Sequence, residues 1–254
     1  KAMAMTVREA KQMIAACKKA KVKLGIGYMM RFHAYHRRIQ EMIAAGQLGR
    51  IVLGRAQLSC WYPPIEGAWR QAPELGGGGS LMDMGSHCID LIEFLAGSQV
   101  AEVSCFASTL THSYRAEDTA TVLFKLANGA HGVVDNHFNI PDAASKNILE
   151  IYGTRGSVLC RGTVGQAPGG EATAYLEREA KGYDAKQQRT DQSVVEEIKP
   201  EPVNMYRAEV EAFSDAIEKN AEPPIGGEHG LWNLKVCLAC YDSARKKKAV
   251  TVRP

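Results

Sequence analysis

The stretch from Thr119 to Phe138 constrains the fold of this chain more than any other. Ala120, Val122, Phe124 and Leu126 alternate with the residues between them, the period of a strand with one face in a core. Asn128-Gly129 follows, the strongest short hairpin signal, and His131 to Phe138 reads as the return strand. Asn147–Tyr152 and Ser157–Arg161 flank Gly153-Thr154-Arg155-Gly156 as a second hairpin, and Val100–Thr109 is a further strand. Two local hairpins predict an antiparallel sheet.

The first 30 residues read differently. Thr6-Val7-Arg8-Glu9 is a capping box, and Val7, Ala10, Met13, Ile14 and Cys17 recur at helical spacing. Val22–Met30, mostly apolar, then suits a buried strand, so helix and strand look like the tail of an α/β unit. A helix is expected over Ala34–Ala45, ending at Gly46, and a strand over Arg50–Trp61 with Gly54 as a possible bulge. Tyr62–Gly79 reads as loop, and residues 162–200 as weak strands and a mobile loop. Tyr206, Val210, Phe213 and Ile217 mark an amphipathic helix. Leu231, Leu234, Val236 and Leu238 mark another, closing at Arg245-Lys246-Lys247-Lys248, and Ala249–Val252 is a last short strand. The expected class is α+β, a mostly antiparallel sheet with helices on one face.

A net charge of +3 is too mild to imply nucleic acid or an anionic membrane surface. No stretch approaches the roughly 18–20 apolar residues of a membrane span. The seven cysteines are an odd number scattered through regular elements, which points to a reducing cytoplasm rather than a secreted disulfide framework. Cys237-Leu238-Ala239-Cys240 lies inside a helical apolar pattern and reads as core; no metal site is expected.

The chemistry is expected in GGGGSLMDMGSHCIDLIEFLAG, residues 76–97. Ser80 is a natural N-cap and Gly97 a natural C′ residue. Asp83, His87 and Asp90 fall at i, i+4 and i+7, which puts Asp83 and His87 on one face of a helix. Leu81, Cys88, Leu91, Ile92 and Leu95 make that helix buried, so a carboxylate and an imidazole there need partners or an open site. The bland alternative makes Asp83 only the third residue of a capping box begun by Ser80. The glycines are not a phosphate cradle, since no Gly-Lys-Ser/Thr closes them and no strand leads into them; they are expected to allow close backbone packing around a site. His33 and His36, beside Arg31, Arg37 and Arg38, read as a solvated helix flank. Trp61, Tyr62 and Trp69 are either core or a stacking wall for a sugar ring.

In order along the chain, these segments resemble the NAD(P)-dependent family of glucose–fructose oxidoreductase and myo-inositol dehydrogenase. Lys1-Ala2-Met3-Ala4-Met5-Thr6 stands where that family has Glu-Lys-Pro before a helix, with Ala2 in place of the proline. Gly27-Tyr28-Met29-Met30-Arg31-Phe32 matches its G-[YF]-x-x-R-[FY]. Trp69-Arg70, Gly76–Gly79 and Asp83-Met84-Gly85-Ser86-His87-Cys88-Ile89-Asp90 match W-R, the glycine run and D-x-G-x-H-x-x-D, the most specific part. The Gly153–Gly156 hairpin and the closing helices from Tyr206-Arg207-Ala208-Glu209 complete the match.

The resemblance implies that residues 1–30 are the C-terminal remnant of a Rossmann dinucleotide-binding domain and 31–254 a substrate-binding and oligomerisation α+β domain. The G-x-G-x-x-G half is absent from the sequence, so a full-length protein longer by about 100–120 residues is expected. It further implies NAD or NADP as cofactor, a sugar or polyol as substrate, and a homodimer or homotetramer formed through the sheet. Lys1, Asp83 and His87 become the catalytic candidates, with His87 as base. Lys1 and Arg31 would contact the cofactor, and Arg31, Trp69, Arg70, Asp83 and His87 the substrate. Two other readings stay open: an NAD-dependent glycosidase of the same family, and a non-catalytic subunit.

Overall fold

The computed structural model describes residues 1–177 and 193–253. One nine-stranded sheet organises them, in the order β8-β7-β6-β5-β1-β4-β3-β2-β9. The strands are β1 Ile51–Ser59, β2 Val100–Ser108, β3 Thr119–Leu126, β4 His131–His137, β5 Ile148–Gly153, β6 Gly156–Arg161, β7 Glu171–Glu177, β8 Ser193–Ile198 and β9 Val250–Thr251. The helices are α1 Val7–Ala20, α2 Ala34–Ala44, the single turn α3 Pro73–Gly76, α4 Ser86–Ala96, α5 Met205–Glu218 and α6 Gly227–Lys246. Every strand pair is antiparallel except β1 with β4. The architecture is α+β.

Both hairpins form where the turn chemistry put them. Gly129 takes φ +87, which the β3–β4 turn requires, and Val122 lies opposite Val134 in register. In β5–β6, Ile151 faces Val158. The strict alternation in β3 has the expected result: Ala120, Val122, Phe124 and Leu126 are buried, while Leu123 on the other face is exposed. Helix α4 packs on the same sheet over β1 and β4, and its Cys88, Ile89, Leu91 and Ile92 are fully buried. Full burial of such side chains contributes roughly 1.5–3 kcal/mol each. The long helix α6 packs against β2 and α4 on the same side. Cys237 and Cys240 sit there, buried, and all seven cysteines are free thiols.

Several expectations change. Val22–Met30 is not a strand: it makes one bridge, Gly25 to Gly226, and then closes into a 3-10 turn over Met29–Phe32. An apolar run becomes a strand only with a paired neighbour, and here just the Ile225–Gly226 backbone lies alongside. The β1 bulge falls at Ile51/Leu53, not at Gly54, whose missing side chain leaves room for Ile92. The loop over 62–79 holds a 3-10 turn at Trp69–Gln71 and α3. Helix α5 forms as expected, but Tyr206, Val210 and Ile217 on its apolar stripe are exposed. His33 and His36 are fully buried rather than a solvated flank. His36 Nδ1 lies 2.7 Å from the Met30 carbonyl and its Nε2 3.2 Å from Thr163 Oγ1, while His33 Nε2 lies 3.1 Å from the Ala167 carbonyl. Burial lowers the pKa of His36 to about 3. Most of the mobile loop expected within 162–200 lies outside the described residues; the weak strands are β7 and β8.

The glycine run packs as tightly as expected. A Cβ on Gly78 would collide with the Tyr241 hydroxyl, and one on Gly79 with the Glu117 carbonyl oxygen. Gly169 has open space around it. Gly79→Ala should therefore destabilise the fold by about 1–3 kcal/mol, whereas Gly169→Ala should stay within about 0.5 kcal/mol of the parent. Urea unfolding of both variants checks this; equal losses would contradict the packing described.

Candidate active site

Asp83 and His87 reach their positions through an irregular helix start. Leu81–Gly85 closes as a π turn before α4 begins at Ser86. Ser80 is not its cap: it is already helical, and its hydroxyl donates to the Asn136 carbonyl at 3.2 Å. The capping group comes from another part of the chain. Glu117 accepts from the Gly79 N–H (2.8 Å) and the Leu81 N–H (3.0 Å), and the Tyr241 hydroxyl donates to it at 2.8 Å. The capping box from Ser80 to Asp83, the bland alternative, is thus absent, and the Asp83 carboxylate is free for other work.

That carboxylate meets two cations. Lys1 Nζ lies 3.0 Å from Asp83 Oδ1 and also donates to the Asp83 carbonyl; the Lys1–Ala2 peptide is cis. Arg70 Nε lies 3.2 Å from the same Oδ1, close enough for an ion pair but without hydrogen-bond alignment. Burial alone would raise the Asp83 pKa, yet the charges of Lys1 and Arg70 outweigh it and hold the carboxyl below its ordinary value. For Lys1, burial is the largest influence and lowers its pKa despite the Asp83 charge.

His87 is 8% exposed and meets the Tyr28 ring edge-on, with centroids 5.7 Å apart. Its Nδ1 is buried and has no hydrogen-bond partner among the described residues. Burial first, and the Lys1 charge second, push its pKa well below 6.5. The imidazole is therefore neutral at pH 7 and carries a lone pair that can accept a proton.

These groups open on one cavity of about 660 Å3, within the range of small-molecule sites. Lys1, Arg70, Asp83 and His87 line it together. Arg31 and Trp69 do not, which corrects the expectation for both as cavity contacts. Arg31 makes a two-pronged pair with Asp90 at 2.8 and 2.6 Å, and its guanidinium lies 5.1 Å from the Phe94 ring. Its charge is matched by a carboxylate beneath the site, and Asp90 is occupied with it. Trp69, 46% exposed, stacks under the Arg70 guanidinium at 4.3 Å and so orients a residue that does reach the cavity. Trp61 is likewise neither core nor cavity wall; its ring meets His112 at 5.0 Å.

The sequence reading missed the rest of the lining. Ser59 and Cys60 end β1, Asp142, Ser145 and Asn147 come from the β4–β5 connection, Gly165 and Gln166 from the loop after β6, and Tyr206 and Glu209 from α5. Tyr206 and Glu209 lie in a quoted motif, as do Gly27, Met29, Met30 and Met84 of the same lining, and Gly165 and Gln166 lie in the polar stretch 162–200; the others depend on which loops the sheet order brings together. Burial raises the Cys60 thiol to about 11, so it is no nucleophile at neutral pH.

A lysine, a carboxylate and a neutral imidazole around one polar cavity can bind a hydroxyl, stabilise an alkoxide and move a proton. Residues 36–159 match the model of the GFO/IDH/MocA C-terminal domain. The chain is 28% identical over 257 residues to 1,5-anhydro-D-fructose reductase of Ensifer adhaerens, covering 99% of this chain and 71% of that protein. It is 25% identical over 259 residues to myo-inositol 2-dehydrogenase of Thermotoga maritima, covering 98% and 70%. Among solved structures it resembles aldose–aldose oxidoreductase from Caulobacter crescentus complexed with glycerol, with a TM-score of 0.85 and 27% identity over 99% of this chain and 70% of that one. The D-x-G-x-H-x-x-D motif, the fold built around it and these similarities point the same way: residues 36–159 match the GFO/IDH/MocA C-terminal domain, and the chain resembles the oxidoreductases of that family.

Proposed function

We propose that this chain carries the substrate-binding and catalytic portion of an NAD(P)-dependent sugar or polyol dehydrogenase, with Lys1, Asp83 and His87 as its catalytic residues. The observation that supports this most is their convergence on one cavity, with His87 neutral and Asp83 ionised at pH 7. The relatives named above act on an anhydro-sugar or an inositol by name, and a further one is named as an NADP+ xylose dehydrogenase.

The cavity fits that chemistry. His87 Nδ1 and Glu209 Oε1 are buried and unpartnered there, polar atoms that a bound molecule can satisfy. When bound, the nicotinamide supplies the hydride acceptor, and of this chain's residues Lys1 is the one that would hold it. Asp83, kept ionised by Lys1 and Arg70, accepts a hydrogen bond from a substrate hydroxyl. His87 takes the proton from the reacting hydroxyl. The Lys1 ammonium stabilises the negative charge that grows on that oxygen as the proton leaves.

Residues 1–30 serve in this reading as the edge of the dinucleotide-binding unit, and 31–254 as the substrate and assembly domain. The sheet face opposite α4 and α6 exposes Phe106, Leu123, Tyr175 and Val195, a surface suited to a second copy of the chain. No described helix is long and apolar enough to cross a membrane. A reducing compartment such as the cytoplasm suits seven unpaired thiols.

Three outcomes follow. With polyols and aldoses offered with NAD+ and NADP+ to the full-length protein that includes the dinucleotide-binding half, reduced cofactor should accumulate, and His87→Ala should lower the rate by about 10²–10⁴ with circular dichroism unchanged; undiminished turnover would refute the base. Because the His87 pKa lies below 6.5, the imidazole is lost as a base only when pH falls through that lower value. The acid limb of kcat/KM should therefore lie below pH 6.5, and a limb at or above 6.5 would reassign it. Light scattering after size exclusion should show a dimer or tetramer that Phe106→Glu dissociates; a monomeric parent would end the assembly proposal.

A further inference from the structure

The cavity wall away from Lys1, Asp83 and His87 is also built, and its central residue is Asn147. This residue follows the β4–β5 connection at φ +44, a left-handed conformation that few non-glycine residues adopt. Its side-chain oxygen is fixed by chemistry. The Ser59 backbone N–H lies 2.9 Å from Oδ1 and can only donate, so the oxygen must face it. The Ser145 hydroxyl, 2.8 Å from the same oxygen, adds a second donor shared with the Ser59 carbonyl. The Nδ2 amine is thereby turned the other way, and it has no partner among the described residues. Asp142 lines the same cavity, and one of its carboxylate oxygens accepts from the Trp61 N–H at 2.9 Å, two residues along the chain from the Ser59 N–H that holds Asn147. The Ser59 hydroxyl, buried and unpartnered, belongs to the same wall.

A pair of N–H donors beside a carboxylate acceptor is the complement of a vicinal diol, in which one hydroxyl accepts and its neighbour donates. Asp83 and His87 need only the reacting carbon's hydroxyl and the one next to it. A cavity of about 660 Å3 leaves space beyond those two groups, and the polar lining continues across it. We propose that Asn147, with Asp142, forms a second diol-binding subsite that selects cyclic polyols and pyranose sugars carrying a further pair of hydroxyls away from the reacting carbon. The proposal rests on the dehydrogenase reading for the identity of the opposite wall, but the binding it describes does not require turnover.

The two readings separate in one experiment. The side-chain amide of Asn147 is located in a 1H–15N spectrum of the whole chain by its loss in Asn147→Asp, which retains an oxygen toward Ser59 and removes both donors. The protein is then titrated with myo-inositol, D-glucose, D-xylose and 1,5-anhydro-D-glucitol, with glycerol as a triol too short to span the cavity. At least one ring polyol should shift the Asn147 amide saturably, glycerol should not, and Asn147→Asp should weaken that ring polyol's binding about 3–10-fold, the value of one neutral hydrogen bond. Asn147→Gly, which keeps the left-handed backbone, should weaken it equally. An amide unmoved by every ring polyol, or binding unchanged in both variants, overturns the subsite. Binding with the expected shift, but no reduced cofactor from the full-length protein that includes the dinucleotide-binding half, would overturn the dehydrogenase reading and leave the subsite standing.

Discussion

The burial of α4 is the constraint on which the site depends. Cys88, Ile89, Leu91, Ile92 and Leu95 leave this helix no freedom to rotate between the sheet and α6. The direction of His87 is therefore set by core packing, including the edge-on Tyr28 ring, rather than by a hydrogen bond; its Nδ1 has no hydrogen-bond partner among the described residues. An imidazole placed in this way is kept neutral by its surroundings. The same burial that fixes its orientation removes the stabilisation its charged form would find in water.

Asp83 is placed by a different means. It belongs to the π turn that precedes α4, and π turns are uncommon because the wider ring packs its own backbone less well. The turn is held from outside by the Glu117 carboxylate, which satisfies the Gly79 and Leu81 N–H groups. Tyr241 on α6 anchors that carboxylate in turn. Two distant segments, the residues just before β3 and the C-terminal part of α6, thus hold five residues of irregular backbone. Burial raises the Glu117 pKa, and the hydrogen bonds from Tyr241, Gly79 and Leu81 oppose that rise. The glycines complete the arrangement, since any side chain at Gly78 or Gly79 would push Tyr241 or Glu117 away.

Much of this was legible in the sequence, and the reasons are physical. The hairpins, the Thr6 capping box and the buried strands announce themselves through contacts between residues near in sequence. The pairing of Asp83 with His87 was legible for the same reason, although the intervening turn is π rather than α. Val22–Met30 misled because its apolar character reports burial, and burial is what it has: Tyr28 and Met30 are 1% exposed. Strand pairing is a separate matter that the run itself does not encode. Arg31 misled because a cation near a site looks like a ligand contact until its carboxylate is seen, and Asp90 lies 59 residues away. His33 and His36 looked solvated because neighbouring arginines share their segment, whereas two of their partners, Thr163 and Ala167, come from the loop after β6, more than a hundred residues away. The second wall of the cavity was illegible throughout, since Ser59 and Asn147 meet only after β1 is paired.

The placement of β1 has a consequence for how the chain is made. It lies between β4 and β5, so its neighbours are residues 131–137 and 148–153. A strand rich in apolar side chains must wait for about eighty more residues of synthesis before it finds either edge, and long-range pairing of this kind is slow. The hairpin of β3 and β4 can form alone, and with β2 it offers the template onto which β1 docks. Until then β1 has unpaired edges open to capture by another nascent chain.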